Sequence, residues 1–156
     1  MGQSATAAAP SPGVVVGWGL NAKGQISVPG GLTNAIALAA GFEHGLALTS
    51  DGSVLGWGNN FQGQSAPPPG MSNVIAIAAG WNHSLALHTN GKLTAWGYNA
   101  FGQVNVPAGL TNVIAIAAGG HHSLALKSDG TIVGWGYNAY GQASPPPTSS
   151  WAGERR

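Results

Sequence analysis

The 156-residue chain has few ionic groups: charged residues make up 6% of it, and five Lys and Arg are balanced by four Asp and Glu. Because nucleic-acid affinity depends on Lys and Arg neutralising several phosphates, this balance argues against a nucleic-acid partner. The absence of cysteine excludes disulfides, thiol catalysis and thiolate zinc sites, and no apolar run approaches the roughly 20 residues that cross a membrane.

The segment 1–13 is rich in Ala, Ser and Pro, a composition typical of a flexible leader. It lacks the basic start and the apolar core of a signal peptide. The sequence therefore predicts a soluble protein without a membrane partner, and it leaves the cellular compartment open.

A glycine-rich motif that contains a tryptophan occurs four times at equal spacing, at Trp18, Trp57, Trp96 and Trp135. A fixed period of that length is the signature of a repeat architecture. Because the four tryptophans keep the same register, we expect all of them to lie in the structural core between repeats.

The last copy shows the order of elements within one unit. Residues 113–118 alternate large and small apolar side chains, which is typical of a strand covered on both faces. A second alternating run at 122–126 leads through an Asp-Gly turn to a strand at 131–135. Residues 143–147 are rich in proline, so they are predicted to form an edge strand.

The same order occurs at residues 35–69, 74–107 and 113–147, whereas residues 14–30 supply only the last two strands of a unit. Four-stranded units of this length, with little helix signal, are typical of β-propeller blades. The sequence therefore predicts an all-β fold over residues 14–147, an incomplete propeller of three full blades and a leading half blade. A disordered tail is predicted at 148–156.

The most informative motifs are Ala117-Ala118-Gly119, His122-Ser123-Leu124-Ala125-Leu126, Asp129-Gly130, Gly134-Trp135-Gly136, Asn138 and Gly141-Gln142, and they recur in register. In these motifs the chain resembles the regulator of chromosome condensation (RCC1-like) repeat family. The repeat length, counted along the sequence from Trp18 to Trp57, is most similar to that of the short bacterial repeats of the family. These repeats include a propeller-type β-lactamase inhibitory protein.

Propellers of this family usually close with about seven blades, whereas this sequence encodes about three and a half. Uncovered sheet faces and strand edges favour pairing with another copy. We therefore expect self-association, either as a dimer that closes one ring, which we favour, or as a filament of stacked chains.

The turns carry most of the differences between the copies and most of the aromatic side chains. In an up-and-down sheet of four strands, the first and third turns lie at the same end. Aromatic and amide side chains on rigid turns are typical of protein-binding surfaces, and the resemblance to the inhibitory protein implies the same face. The candidate protein-binding residues are Phe42, Glu43, Phe61, Gln62, Trp81, Asn82, Tyr98, Phe101, His121, Tyr137 and Tyr140. The alternative is that these aromatic residues only pack against neighbouring turns.

Three histidines, His44, His83 and His122, occupy the same position in successive units. One ligand per unit, with carboxylates so scarce, does not make a tetrahedral metal site, so we predict structural histidines and no metal. Ser84 and Ser123 directly follow histidines, but adjacent residues of a strand point to opposite faces, so this adjacency implies no Ser-His pair. Paired carboxylates and a phosphate-binding loop are also missing. We therefore predict a non-enzymatic protein without a cofactor.

Together these patterns predict a repeat scaffold that self-associates and binds another protein through its aromatic turns. One alternative is a purely structural arc or filament without a separate partner. Another is an inhibitor-like binder of a bacterial enzyme such as a β-lactamase.

Overall fold

The computed structural model describes residues 14–147, in which strands and turns occur without a helix. The nine strands are β1 (Ala35–Ala40), β2 (His44–Thr49), β3 (Val54–Gly58), β4 (Val74–Ala79), β5 (His83–His88), β6 (Leu93–Gly97), β7 (Val113–Ala118), β8 (His122–Lys127) and β9 (Ile132–Gly136). The predicted all-β class is confirmed. The predicted leader at 1–13 and tail at 148–156 lie outside the described residues.

Each unit forms its own three-stranded antiparallel sheet, with the orders β1-β2-β3, β4-β5-β6 and β7-β8-β9. The register is the same in all three units, since the first residue of each central strand pairs with the last residue of the third strand. The turn between β8 and β9 shows why the Asp-Gly pair is needed. Gly130 has a φ of +84°, which side-chain-bearing residues rarely adopt, and Asp129 Oδ1 accepts a hydrogen bond from Thr131 N at 2.9 Å.

The predicted fourth strand of each blade is not formed as a strand in the described units. The segment that follows β3 instead runs closely beside it, so that a Cβ atom at Gly56 would overlap the carbonyl oxygen of Ser65. Gly134 lies against Ala143 in the same way. Because proline has no amide hydrogen, the prolines in these segments cannot extend a ladder of hydrogen bonds. Residues 14–30 likewise carry no assigned strand.

The hydrophobic core lies between successive sheets. We call the side of a sheet that points to the next unit its forward face, and the opposite side its rear face. The forward face of the first sheet contributes Leu46 and Leu48, which pack with Val74, Ala86 and Trp96 of the second unit. The same interface is repeated one unit later by Leu85, Leu87, Val113, Ala125 and Trp135. Face-to-face packing of this kind buries large side chains between two sheets.

The four repeated tryptophans differ in burial because only some of them have a sheet to pack against. Trp96 keeps 6% of its surface exposed, and Trp135 is similarly buried, since each ring packs on the preceding sheet. Trp57 is half-buried. Trp18 is 84% exposed, so the prediction that it lies in the core is wrong. No sheet precedes it within the described residues.

Candidate protein-binding site

The third turn of each unit is held in shape by its own amide side chains. In the second unit, Asn99 Oδ1 accepts a hydrogen bond from Val104 N, and Gln103 Oε1 accepts one from Phe101 N, both at 3.0 Å. The same two bonds recur with Asn21 and Gln25, with Asn60 and Gln64, and with Asn138 and Gln142. The repeated Asn and Gln therefore give these turns one common, ordered backbone.

The first turn of each unit is hydrogen-bonded to the third. Tyr98 N donates to the carbonyl oxygen of Asn82, and Tyr137 N donates to that of His121, both at 2.8 Å. The two turns consequently share one end of every sheet, as the strand order predicted. Neighbouring units are also joined at this end, because Trp81 N donates to Gly120 O at 3.2 Å.

Seven side chains on these turns form a continuous series of ring contacts that crosses the units. This aromatic ridge consists of Phe42, Trp81, Tyr98, Phe101, His121, Tyr137 and Tyr140. His121 connects its two halves, with its ring centroid 4.9 Å from that of Trp81 and 5.1 Å from that of Phe101. Phe101 in turn lies 4.9 Å from Tyr137.

The aromatic ridge is open to solvent over much of its length. Phe42 is 70% exposed and Trp81 is 53% exposed. The Trp81 ring lies over Gly120, where a Cβ atom would be 3.1 Å from the ring. The repeat places Phe42 and Trp81 at the position that Gly120 holds in the third unit, so this glycine makes room for the ring of its neighbour. An exposed, contiguous set of large aromatic side chains is characteristic of an interaction surface.

A shallow cavity of about 370 Å³ adjoins the ridge, and Asn59, Phe61, Gln62, Asn82, Tyr98 and His121 line it. Glu43 reaches the same place, since its Oε2 accepts a hydrogen bond from Asn59 Nδ2 at 2.7 Å. The structure thus brings every predicted binding residue to the ridge or the adjoining cavity. Sequence reasoning missed Asn59, although it occupies the repeat position of Tyr98 and Tyr137.

This end of the molecule carries little charge. Among the described residues, Lys23 and Glu43 are the ionic side chains on these turns, and Lys23 Nζ lies 5.1 Å from the ring centroid of Phe61. Asp51 and Asp129 belong to the turns at the opposite end. The ridge and cavity therefore suit an apolar or aromatic partner surface more than a highly charged one.

Buried histidine-serine pairs connect the sheets behind the ridge. His44 Nε2 lies 2.9 Å from Ser84 Oγ, and His83 Nε2 lies 3.0 Å from Ser123 Oγ. These pairs do not come from the adjacent His and Ser residues that the sequence analysis considered, because the partners belong to consecutive sheets rather than to one strand. Both serines are 0% exposed, so a substrate cannot reach their hydroxyl groups. The pairs instead fasten one sheet to the next, in line with the predicted structural role of the histidines.

The serine hydroxyl identifies a protonated nitrogen of its histidine ring. Ser84 Oγ donates to Gln64 O at 2.8 Å, so its one proton is used and His44 Nε2 must be the donor in the other bond. Nε2 of the ring therefore carries a proton. Gln64 O accepts a second hydrogen bond from Trp96 Nε1 at 3.0 Å. The same arrangement recurs with His83, Ser123, Gln103 and Trp135.

Burial favours the neutral form of these rings. It lowers the pKa of His44 to about 4. The pKa of His83 is also lowered to about 4, mainly by burial and further by the neighbouring histidines His121, His44 and His122. Nδ1 of His44 and Nδ1 of His83 are buried without a hydrogen-bond partner among the described residues. A proton added there would be a buried and unpaired charge.

Residues 14–147 contain no cluster of three His, Asp or Glu side chains that could hold a metal ion. Within the same residues, no helix is long and apolar enough to span a membrane.

Sheets of equal register, repeated at a constant period and packed face to face, define a repeat protein of the β-propeller type. The chain belongs to the regulator of chromosome condensation (RCC1) repeat family, whose sequence profile matches residues 35–64, 74–103 and 113–142. The predicted family is thereby confirmed. No curated protein sequence matches the chain.

Solved structures of longer proteins are similar to this chain. Prp20p from Saccharomyces cerevisiae is 33% identical with a TM-score of 0.62, over 72% of this chain and 33% of that protein. Human WBSCR16 is 26% identical with a TM-score of 0.61, over 74% and 37%. The ectodomain of the Physcomitrella patens receptor kinase CR4 is 28% identical with a TM-score of 0.61, over 76% and 35%. The chain thus spans about a third of the length of these structures.

Proposed function

We propose that this chain is a non-enzymatic scaffold that associates with itself and binds another protein through the aromatic ridge. The observation that carries the proposal is the unbroken series of exposed and half-exposed rings on hydrogen-bonded turns. Aromatic side chains contribute large contact area, and an ordered backbone reduces the entropy lost on binding. A surface with these two properties is suited to hold a protein partner.

The relatives support a protein as the class of partner. The structure of Prp20p is described together with its binding to Gsp1p and histones, and yeast RCC1 (Prp20) has been solved bound to Kap60. Because this chain spans only 33% of Prp20p, those individual partners are not assigned to it. What supports protein binding here is the ridge together with the family.

Replacing Phe42, Trp81 and Phe101 with alanine should abolish capture of partner proteins from a cell extract, because it removes rings from both halves of the ridge. Captured proteins are quantified by mass spectrometry for the immobilised chain and its variants. The matched control replaces Ile36, Ile75 and Ile114, three exposed side chains of β1, β4 and β7. Equal capture by the two triple variants would contradict the ridge as the binding surface.

Self-association is the second part of the proposal. In the assembled protein, the proline-rich segments after each third strand lie along the outer edges of the propeller blades, and the half blade of residues 14–30 is displaced or exchanged. Two chains then close one ring, or many chains stack into a filament. The expected light-scattering mass exceeds 15.5 kDa and decreases on dilution. A mass that stays at 15.5 kDa at every concentration would contradict self-association.

Two narrower functions follow from the outcome of these measurements. If the ridge variants assemble normally and no partner is captured, the chain is a purely structural arc or filament. Inhibition of a bacterial enzyme such as a β-lactamase is a special case of ridge binding. It is tested by adding the chain and the ridge variant to the purified enzyme and following hydrolysis of a chromogenic substrate.

A further inference from the structure

The described residues contain the same sheet-to-sheet interface twice. The first and third sheets each present one face that a further interface of this kind would use. Within the chain, the forward face of one sheet packs on the rear face of the next. The third sheet has no sheet in front of it among the described residues, and the first sheet has none behind it. One of these open faces is a forward face and the other is a rear face, so they are complementary in the same way as the faces of the two internal interfaces.

The open forward face belongs to β7–β9. Ala115 and Ala117 are exposed on it, whereas their counterparts in the first sheet, Ala37 and Ala39, pack against the core cluster of the next unit. Ile132 is exposed as well, although its counterpart Val54 packs in the same cluster. The forward face of the third sheet is thus an apolar surface without its partner.

The open rear face belongs to β1–β3. Leu38 is 58% exposed there, while Ile77 and Ile116, which hold the same repeat position, pack in the two core clusters. A cavity of about 670 Å³ lies over this face, bounded among others by Trp18, Ile26, Leu38 and Trp57. Residues 14–30 cover only part of the face.

Residues 14–30 reproduce one contact of a complete preceding unit. Trp96 Nε1 donates to Gln64 O at 3.0 Å, and Trp57 Nε1 donates to Gln25 O at the same distance. The glutamines recur once in every repeat, and the last of them, Gln142, lies in the third unit. Gln142 of one chain is therefore the equivalent acceptor for Trp57 of another. Within a single chain, Gln25 of residues 14–30 accepts this hydrogen bond instead.

We propose that chains associate head to tail, with the forward face of the third sheet of one copy docking on the rear face of the first sheet of a second copy. This inference rests on the proposed self-association and specifies its surfaces. The docking sheet displaces residues 14–30, which have no strand ladder to lose, and its β7 and β8 fill the cavity over Leu38. The interface continues the one already present twice inside the chain.

The interface between copies lacks one bond of the internal interfaces. Where His44 meets Ser84 and His83 meets Ser123, His122 would meet Gly45 of the next copy, which has no hydroxyl group. The loss of one buried hydrogen bond of this kind weakens association about fivefold. Association between copies is accordingly weaker than packing between sheets within a chain, and it reverses on dilution.

Two full-length variants test this arrangement. Leu38→Asp places a charge on the rear face of the first sheet, and Ala117→Asp places one on the forward face of the third. Each variant alone should be a monomer of 15.5 kDa, because each has one charged face. Their equimolar mixture should form a dimer of twice that mass, since one unmodified rear face and one unmodified forward face remain. Far-UV circular dichroism checks that both variants are folded.

The outcomes separate this inference from the broader proposal. A wild-type chain that remains monomeric overturns self-association altogether. If the wild type associates, and the two variants either still associate alone or fail to combine when mixed, the head-to-tail docking is overturned while self-association stands. A variant that still associates alone would point to an interface in which both copies use the same, unmodified face.

Discussion

Replacing Trp96 with alanine is expected to lower the free energy of unfolding by about 3–5 kcal/mol, the usual cost of truncating a large buried aromatic side chain. The ring is 6% exposed and belongs to the core cluster with Leu46 and Leu48. Its Nε1 also donates to Gln64 O, so the variant leaves a cavity and removes one donor from a buried carbonyl group. Urea unfolding followed by circular dichroism measures the loss.

The repeat provides a matched control for this substitution. Trp18 occupies the same position of the leading segment, but it is 84% exposed. Trp18→Ala is therefore expected to change the free energy of unfolding by less than about 0.5 kcal/mol, as surface substitutions usually do, when it is measured in dilute solution where the chain is a monomer. If both variants lost the same free energy of unfolding, the stabilising effect of a tryptophan would not depend on its burial, and the prediction would be contradicted.

This comparison shows how far the repeat pattern could predict the fold. The alternation of large and small residues and the Asp-Gly turns were sufficient to predict the strands, because both depend on local chemistry. The burial of a tryptophan depends instead on whether a sheet precedes it. The local sequences around Trp18 and Trp96 are similar, although only Trp96 has a preceding sheet among the described residues. The fourth strand was predicted from the same repeat, but its prolines cannot donate the hydrogen bonds that a ladder requires.

The candidate site was predicted in its residues but not in its connections. Aromatic content and variation between copies indicated Trp81 and Phe101, yet they are joined through His121, and that contact depends on the missing side chain of Gly120. The His44–Ser84 pair spans 40 residues of sequence. Side chains of neighbouring residues point apart within one strand, whereas this pair forms between two sheets and cannot be predicted from adjacent residues.

The stability of the fold should decrease as the pH falls from 6.5 to 4. His44 and His83 have pKa values of about 4 in the folded chain, against 6.5 for an unperturbed histidine. In this range the unfolded chain binds more protons, so the stabilising effect is complete above pH 6.5 and is lost as the pH approaches the folded pKa. The expected slope is up to about 1.4 kcal/mol per pH unit for each histidine, measured by urea unfolding at several pH values.

Two variants test whether the buried histidine rings cause this pH dependence of the free energy of unfolding. Replacing both His44 and His83 with glutamine should flatten the dependence, because glutamine does not titrate. Leu48→Ala lowers stability in the same core without removing a histidine, so it should retain the full slope. A wild-type slope in the double glutamine variant would contradict the assignment. In the native chain, the imidazole proton signals of the two residues should titrate below pH 5. Both histidines lie between two sheets, where burial keeps their rings neutral, so acid should weaken both internal interfaces together.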